Sequence, residues 1–204
     1  MIIDCHNHVG SDLLFYLHGD FPYAQHLVAM HDEGRALGVD RWIVFPFVSH
    51  LALDVTVFMQ NEIKDEKGRL QDIPYAFENR RLMKECYELF PEEGKRMLPF
   101  VMADPMRNTA AQAVELRKLR NDYRFYGIKM QTTILQSDIK HLRDRGKVFV
   151  ELAAEWDVPF LIHSSVAESD LWAQAHDILD IAEENPSVRF CLAHSCRYDK
   201  EDRK

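Results

Sequence analysis

Long apolar runs are the first thing this sequence lacks. The longest extends from Trp42 to Val48, far short of the roughly 20 residues that cross a bilayer. No basic segment leading into an apolar core opens the chain, so no secretory leader is expected and the cytoplasm is the default address. Lys and Arg form no stripe, and the formal net charge is −8. An acidic surface repels phosphate backbones, which argues against nucleic acid as a partner. Cysteine is sparse: Cys5, Cys86, Cys191 and Cys196 contain no CxxC pair. Cys191 and Cys196 lack the second pair that a zinc ribbon needs. All four are read as reduced thiols, with Cys5 and Cys191 buried in strands. No glycine-rich turn follows the first apolar run, so a dinucleotide-binding fold has no support. Internal repeats and low-complexity segments are also missing. What is there is a chain of 204 residues, 47% hydrophobic and 28% charged. That is enough for one sizeable core, and a single domain over 1–204 is expected.

The chain alternates between two textures. Short apolar runs recur at Ile2–His8, Arg41–Phe47, Met97–Ala103, Tyr126–Met130, Pro159–Ser164 and Arg189–Ser195. Between them lie stretches with helical spacing: Tyr23–Leu37 with Gly38 as its stop, Thr109–Asn121 capped by Asn108, Lys147–Trp156, and Asp170–Glu184 ended by Asn185-Pro186. Six strands alternating with helices predict a parallel sheet covered on both faces, either doubly wound or a (β/α)8 barrel. The polar connection from Ser49 to Ile73 is long for a compact domain and reads as a binding loop or a solvated excursion.

The chemistry gathers at strand ends. "DCHNH" at residues 4–8 carries two histidines two apart. Strand side chains alternate, so His6 and His8 should share a face with Ile2 and Asp4, leaving Ile3, Cys5 and Asn7 on the other. His163 closes "PFLIHSS", His194 closes "FCLAHSC", and Lys129 lies in "YGIKMQ". In parallel α/β folds, ligands bind beyond the carboxyl ends of strands. His18, His26, His31, His50, His141 and His176 fall instead in loops or helices. Imidazoles converging in a core without a metal or carboxylate are hard to satisfy. Zinc takes three or four N, O or S ligands, so the set reads as a metal site. Lys129 has a structural alternative, an ion pair with Asp104 or another inward acid.

DCHNH, GIKM, LIHSS and LAHS, in that order, resemble the amidohydrolase superfamily. The resemblance is to the branch of metal-dependent hydrolases and non-oxidative decarboxylases, and it covers nearly the whole chain. "NRRLMKECYELFPEEGKRMLPFVMADP" and "NPSVRFCLAHS" are similar to that branch's approaches to strands three and six. The resemblance implies a distorted (β/α)8 TIM-type barrel, of which six βα units are present. It implies that His6, His8 and His163 are ligands of a divalent metal, zinc first and manganese second. His194 would bind a second metal or activate the metal-bound water, and Lys129 matches the lysine that bridges two metals in binuclear members. A zinc-bound water has its pKa lowered to about 7, and a nearby histidine can shuttle the proton. Hydrolysis and decarboxylation both follow. Asp4 is expected as an outer partner of the ligands or as a strand-start residue bonded to backbone.

The family's last ligand is an aspartate on strand eight. A full barrel takes about 250 residues, and Asp199 and Asp202 follow His194 too soon to fill that place. Three expectations result: a longer parent protein, a chain that self-associates to cover an open sheet edge, or an inactive metal-binding scaffold. The leading function is a metal-dependent hydrolase or decarboxylase acting on a small carbonyl or carboxylate compound. A non-catalytic module comes second. A phosphoesterase of the histidinol-phosphatase type comes third, with His18 and Asp20 a poor match to its pattern. Arg107 and Arg197 could hold a substrate carboxylate, though a solvated surface position is the plainer reading of each.

Overall fold

The protein is described by a computed structural model, which covers residues 1–11, 24–47, 73–168 and 170–196. The chain enters on β1 (Ile3–Ser11), adds the two-residue β2 (Ala24–Gln25), and turns into α1 (Leu27–Ala36) and β3 (Arg41–Pro46). Then come α2 (Ala76–Lys84), a π-helical turn (Glu85–Leu89), α3 (Pro91–Gly94) and β4 (Met97–Met102). The rest is α4 (Thr109–Asp122), β5 (Gly127–Met130), α5 (Thr132–Leu135), a 3₁₀ turn (Ile139–Arg143), α6 (Lys147–Trp156), β6 (Phe160–Ile162), α7 (Ala175–Glu184) and β7 (Phe190–Leu192). The long connection after Phe47 lies outside the described residues up to 72, as do His18, Asp20, His50, Arg197, Asp199 and Asp202.

The sheet order is β2-β1-β3-β4-β5-β6-β7. All pairs are parallel except β1–β2. Six parallel strands follow one another without reversal. A doubly wound sheet reverses its order at a switch point, so the sequence's two options resolve to the barrel type. The curvature is visible in one contact. Five strand spacings separate β1 from β7, roughly 24 Å in a flat sheet at ~4.8 Å each. Yet the rings of His6 and His194 have centroids 4.8 Å apart. The sheet curls into a barrel arc whose two ends share a lumen.

Both faces are packed. Toward the helices, Trp42, Val44, Val101, Ile128, Met130, Phe160 and Ile162 join the buried residues of α1, α4, α6 and α7. Toward the lumen, Phe45, Phe100, Met102 and Leu161 pack with Tyr75, Leu135 and Ala193. The near-continuous apolar strands in the sequence reflect this double burial.

Several boundaries agree closely with the periodicity. Lys147–Trp156 is helical over that range. Gly38 takes φ +86 just past the cap of α1, the left-handed stop that glycine adopts without strain. Others differ for local reasons. Helical spacing from Tyr23 gives way to β2 at Ala24–Gln25, paired with Gly10 and Ser11. Asn108 sits at the start of α4, but its side chain makes no capping hydrogen bond. The helix expected from Asp170 begins at Ala175, because the Asp170 carboxylate accepts from Trp172 N and Ala173 N and holds a turn instead. The sixth apolar run stops being a strand at Leu192, since His194 (φ 61) and Ser195 (φ 49) turn left-handed.

Candidate metal centre

The register of β1 decides which of its side chains reach the lumen. Asp4 pairs with Trp42 and Asn7 with Val44, so three steps on β1 oppose two on β3. This is a β-bulge, with one extra residue between Asp4 and Asn7. Simple alternation therefore fails here. Asp4 and Asn7 align with helix-side residues, while His8 pairs with the lumen residue Phe45. The lumen placement of His6 and His8 stands: both rings lie edge-on to Phe45, at 5.1 and 4.5 Å. The expectations for Asp4 and Cys5 need correcting. Asp4 is exposed, and its carboxylate accepts from the His6 backbone N–H at 3.3 Å, the strand-start role. Cys5 is exposed rather than buried and shares the side of His6. Burial and the Cys5 thiol both raise the pKa of Cys191. Cys191 pairs with the lumen residue Leu161 and is likewise exposed, not buried as expected.

The other histidines arrive from the far side of the arc. His163 follows β6 and continues the parallel ladder through its N–H to Met130 O, 3.0 Å; it is 2% exposed. His194 follows β7 in a left-handed turn, a conformation unusual for a non-glycine residue and often kept at functional positions. That turn brings its ring to centroid distances of 4.8 Å from His6 and 4.7 Å from His163. Its Nε2 lies 3.1 Å from His163 Nδ1, a hydrogen bond whose proton sits on one of the two rings. His6 and His8 are 5.5 Å apart. His8 also stacks on Phe47 at 4.5 Å, and its Nδ1 lies 3.3 Å from Pro46 O. The structure thus brings all four strand-end histidines to one mouth. His26, His31, His141 and His176 stay on helices, turns or their caps, as expected.

The electrostatics keep these imidazoles neutral. Burial first, then the Lys129 ammonium, hold His6, His8 and His163 down at about 3. The same two causes lower His194. Lys129 itself is 0% exposed, and burial pulls its amine down to about 7. Its expected partner Asp104 is engaged elsewhere. Asp104 accepts from Arg107 Nη1 at 2.9 Å and from Ser137 Oγ at 2.7 Å, with Asp104 and Arg107 each 1% exposed. The surface reading of Arg107 is therefore wrong. Gln112 clamps the same loop, accepting from Asp104 N and donating to Asp104 O, both at 2.9 Å. Phe45 and this Asp104 network were not singled out from the sequence. The parity of β3, which puts Phe45 on the His8 side, and an acid directly after β4 were the available signals.

Neutral imidazoles are the form that ligates a metal, and four of them from three strand ends suit a divalent ion in donor chemistry. As the side chains stand, no group of three or more His, Cys, Asp or Glu among the described residues is arranged around one point to hold it. His163 Nδ1 and His194 Nε2 are directed at each other instead. By donor type, His6, His8 and His163, with His194 beside them, are the residues that would hold an ion.

A curled parallel arc with ionisable side chains at its carboxyl-end mouth has the architecture of an incomplete (β/α)8 barrel. The amidohydrolase family model matches residues 3–203, and the chain belongs to that family. A solved dihydroorotase from Campylobacter jejuni is similar at 16% identity and a TM-score of 0.42, over 93% of this chain and 45% of that one. This chain spans less than half of that enzyme's length. No curated protein sequence matches it. No helix among the described residues is long and apolar enough to cross a membrane.

Proposed function

We propose that this chain is a metal-dependent hydrolase acting on a small molecule through a carbonyl or carboxylate group. His6, His8 and His163 would hold one divalent ion, zinc before manganese. The observation that carries the reading is the meeting of four neutral imidazoles from β1, β6 and β7 at one lumen mouth, in a chain of the amidohydrolase family. When bound, the ion supplies Lewis acidity at a carbonyl and acidifies water. The remaining work falls to the chain. His194, exposed at the mouth and neutral near pH 7, takes the proton from the attacking water and returns it to the leaving group. Phe45 and Phe47 pack on His6 and His8 and keep bulk water from their rings. Loss of CO2 from a carboxylate is the second reading. It is favoured by Lys129, a buried cation with no acidic partner among the described residues. Free Cys5, Cys86 and Cys191 support a cytoplasmic setting.

Metal analysis after zinc or manganese loading should find close to one ion per chain. A small fraction of that would end the proposal. Turnover on lactone, amide and aromatic-acid panels should vanish in His163→Ala. Bound metal without turnover on any panel would leave a metal-binding scaffold instead.

A further inference from the structure

We propose that Lys129 is the anion-holding residue of this site and that the substrate carries a carboxylate which pairs with its Nζ. This deepens the hydrolase or decarboxylase reading and rests on it.

The lumen carries an imbalance of charge. Lys129 is on β5 with 0% exposure, and its Nζ has no hydrogen-bond partner among the described residues. Burying an ammonium is costly unless a counter-charge meets it. Among the described residues no carboxylate is paired with it. Met102, its neighbour on β4, is apolar, and so is Leu161 on β6. The nearby acid after β4, Asp104, is spent on Arg107 and Ser137. Among the described residues, the groups coupled electrostatically to Lys129 are the four imidazoles and the Cys191 thiol, with no carboxylate among them. The contact that remains is the face of Phe45, 5.1 Å from Nζ, a weak cation–π partner. A single buried amine, carrying +1 when protonated and walled by Phe45 and Leu161, has no anion beside it among the described residues.

The chemistry of that anion follows from the surroundings. A phosphate brings nearly two charges and asks for several donors, such as a helix N-terminus or an arginine fork. Lys129 offers one amine, so the matching group is monoanionic. A carboxylate carries one charge and can hang from an apolar body that fits the Phe45 side of the lumen. The same lysine holds that carboxylate close to the imidazoles, where the reacting carbonyl must lie.

The test uses the full chain, as purified and after chelation, so that a bound metal cannot itself capture the anion. Calorimetry with sodium benzoate and the neutral isostere benzamide should show benzoate binding at least tenfold tighter. That preference should be lost in Lys129→Met and in Lys129→Gln. If neither variant folds, the benzoate-to-benzamide ratio of the wild-type chain decides, together with a benzoate-induced shift of one Nζ signal in ¹⁵N-lysine spectra. Equal affinity for both probes would overturn the proposal, as would unchanged benzoate affinity in the variants or tighter binding of inorganic phosphate. A ¹³C-bicarbonate label appearing as a carbamate on Lys129 would overturn it as well. Turnover is scored separately: a chain that holds benzoate through Lys129 yet turns over nothing removes the enzyme reading and leaves the anion site.

Discussion

At the scale of single residues, the site is built from groups held away from their preferred charge. His6, His8 and His163 are neutral in the folded chain down to about 3, while unfolded imidazoles protonate near 6.5. Below 6.5 the unfolded state takes up protons that the folded state refuses, so stability rises with pH across this window. Metal-free protein should therefore lose thermal stability progressively from pH 6.5 toward 3, as followed by circular dichroism. A flat melting temperature over that range would contradict the burial of these rings. Lys129 works in the same direction at higher pH, since its folded amine titrates at about 7 and an unfolded one at 10.5. Replacing it removes a buried amine that has no acidic partner among the described residues. Lys129→Met should stabilise the ligand-free chain at pH 7, by about 1–4 kcal/mol if it behaves like other buried charges replaced by apolar side chains. Denaturant titration of both chains measures this. Destabilisation would mean that the amine has a partner in the folded chain.

At the scale of elements, close backbone approaches and side-chain clamps fix how the helices seat. In α3, a Cβ on Gly94 would lie 1.7 Å from the Cys86 carbonyl oxygen in the preceding π-helical turn. Backbone cannot yield as a flexible side chain can, so Gly94→Ala should cost about 3 kcal/mol or prevent folding. The melting temperature of the purified variant reports it. Asn79 on α2 does related work with a side chain: its Nδ2 donates to Met102 O at 2.9 Å and its Oδ1 accepts from Met102 N at 2.7 Å. Met102 and Asn79 are buried, so Asn79→Ala strands two backbone groups. The expected loss is about 2–3 kcal/mol, read from urea unfolding. Neither device was foreseen, because a glycine and an asparagine in a helix look unremarkable until the neighbouring backbone is in place.

At the scale of the whole molecule, the candidate ligands sit on β1, β6 and β7, the two ends of the arc. An ion held by them would tie those ends together and bind only the folded state. Zinc at a hundredfold excess over its dissociation constant should then stabilise the chain by about 2.7 kcal/mol. Differential scanning calorimetry should show that gain in the wild-type chain and its loss in His163→Ala. An equal shift in both would place the binding elsewhere. The outer edge of β7 has no strand beside it among the described residues. Self-association across that edge remains our proposal, and sedimentation at increasing concentration checks it.

The sequence by itself determined the strand–helix alternation, the parallel sheet and the placing of four histidines and a lysine at strand ends. These are local properties: apolar runs, helical periods and position along a strand. It was less reliable wherever one residue more or less changed a direction. The bulge between Asp4 and Asn7 reversed the expected facing of Asp4 and Cys5, and a left-handed turn at His194 cut β7 short. Only the tertiary structure decided that the sheet curls, because curvature sums small twists over six strands and no single segment encodes it. It also decided that Asp104 belongs to Arg107 and leaves Lys129 without an acidic partner among the described residues. Which of two cations claims an acid depends on distances across elements, and those exist only once the chain has folded.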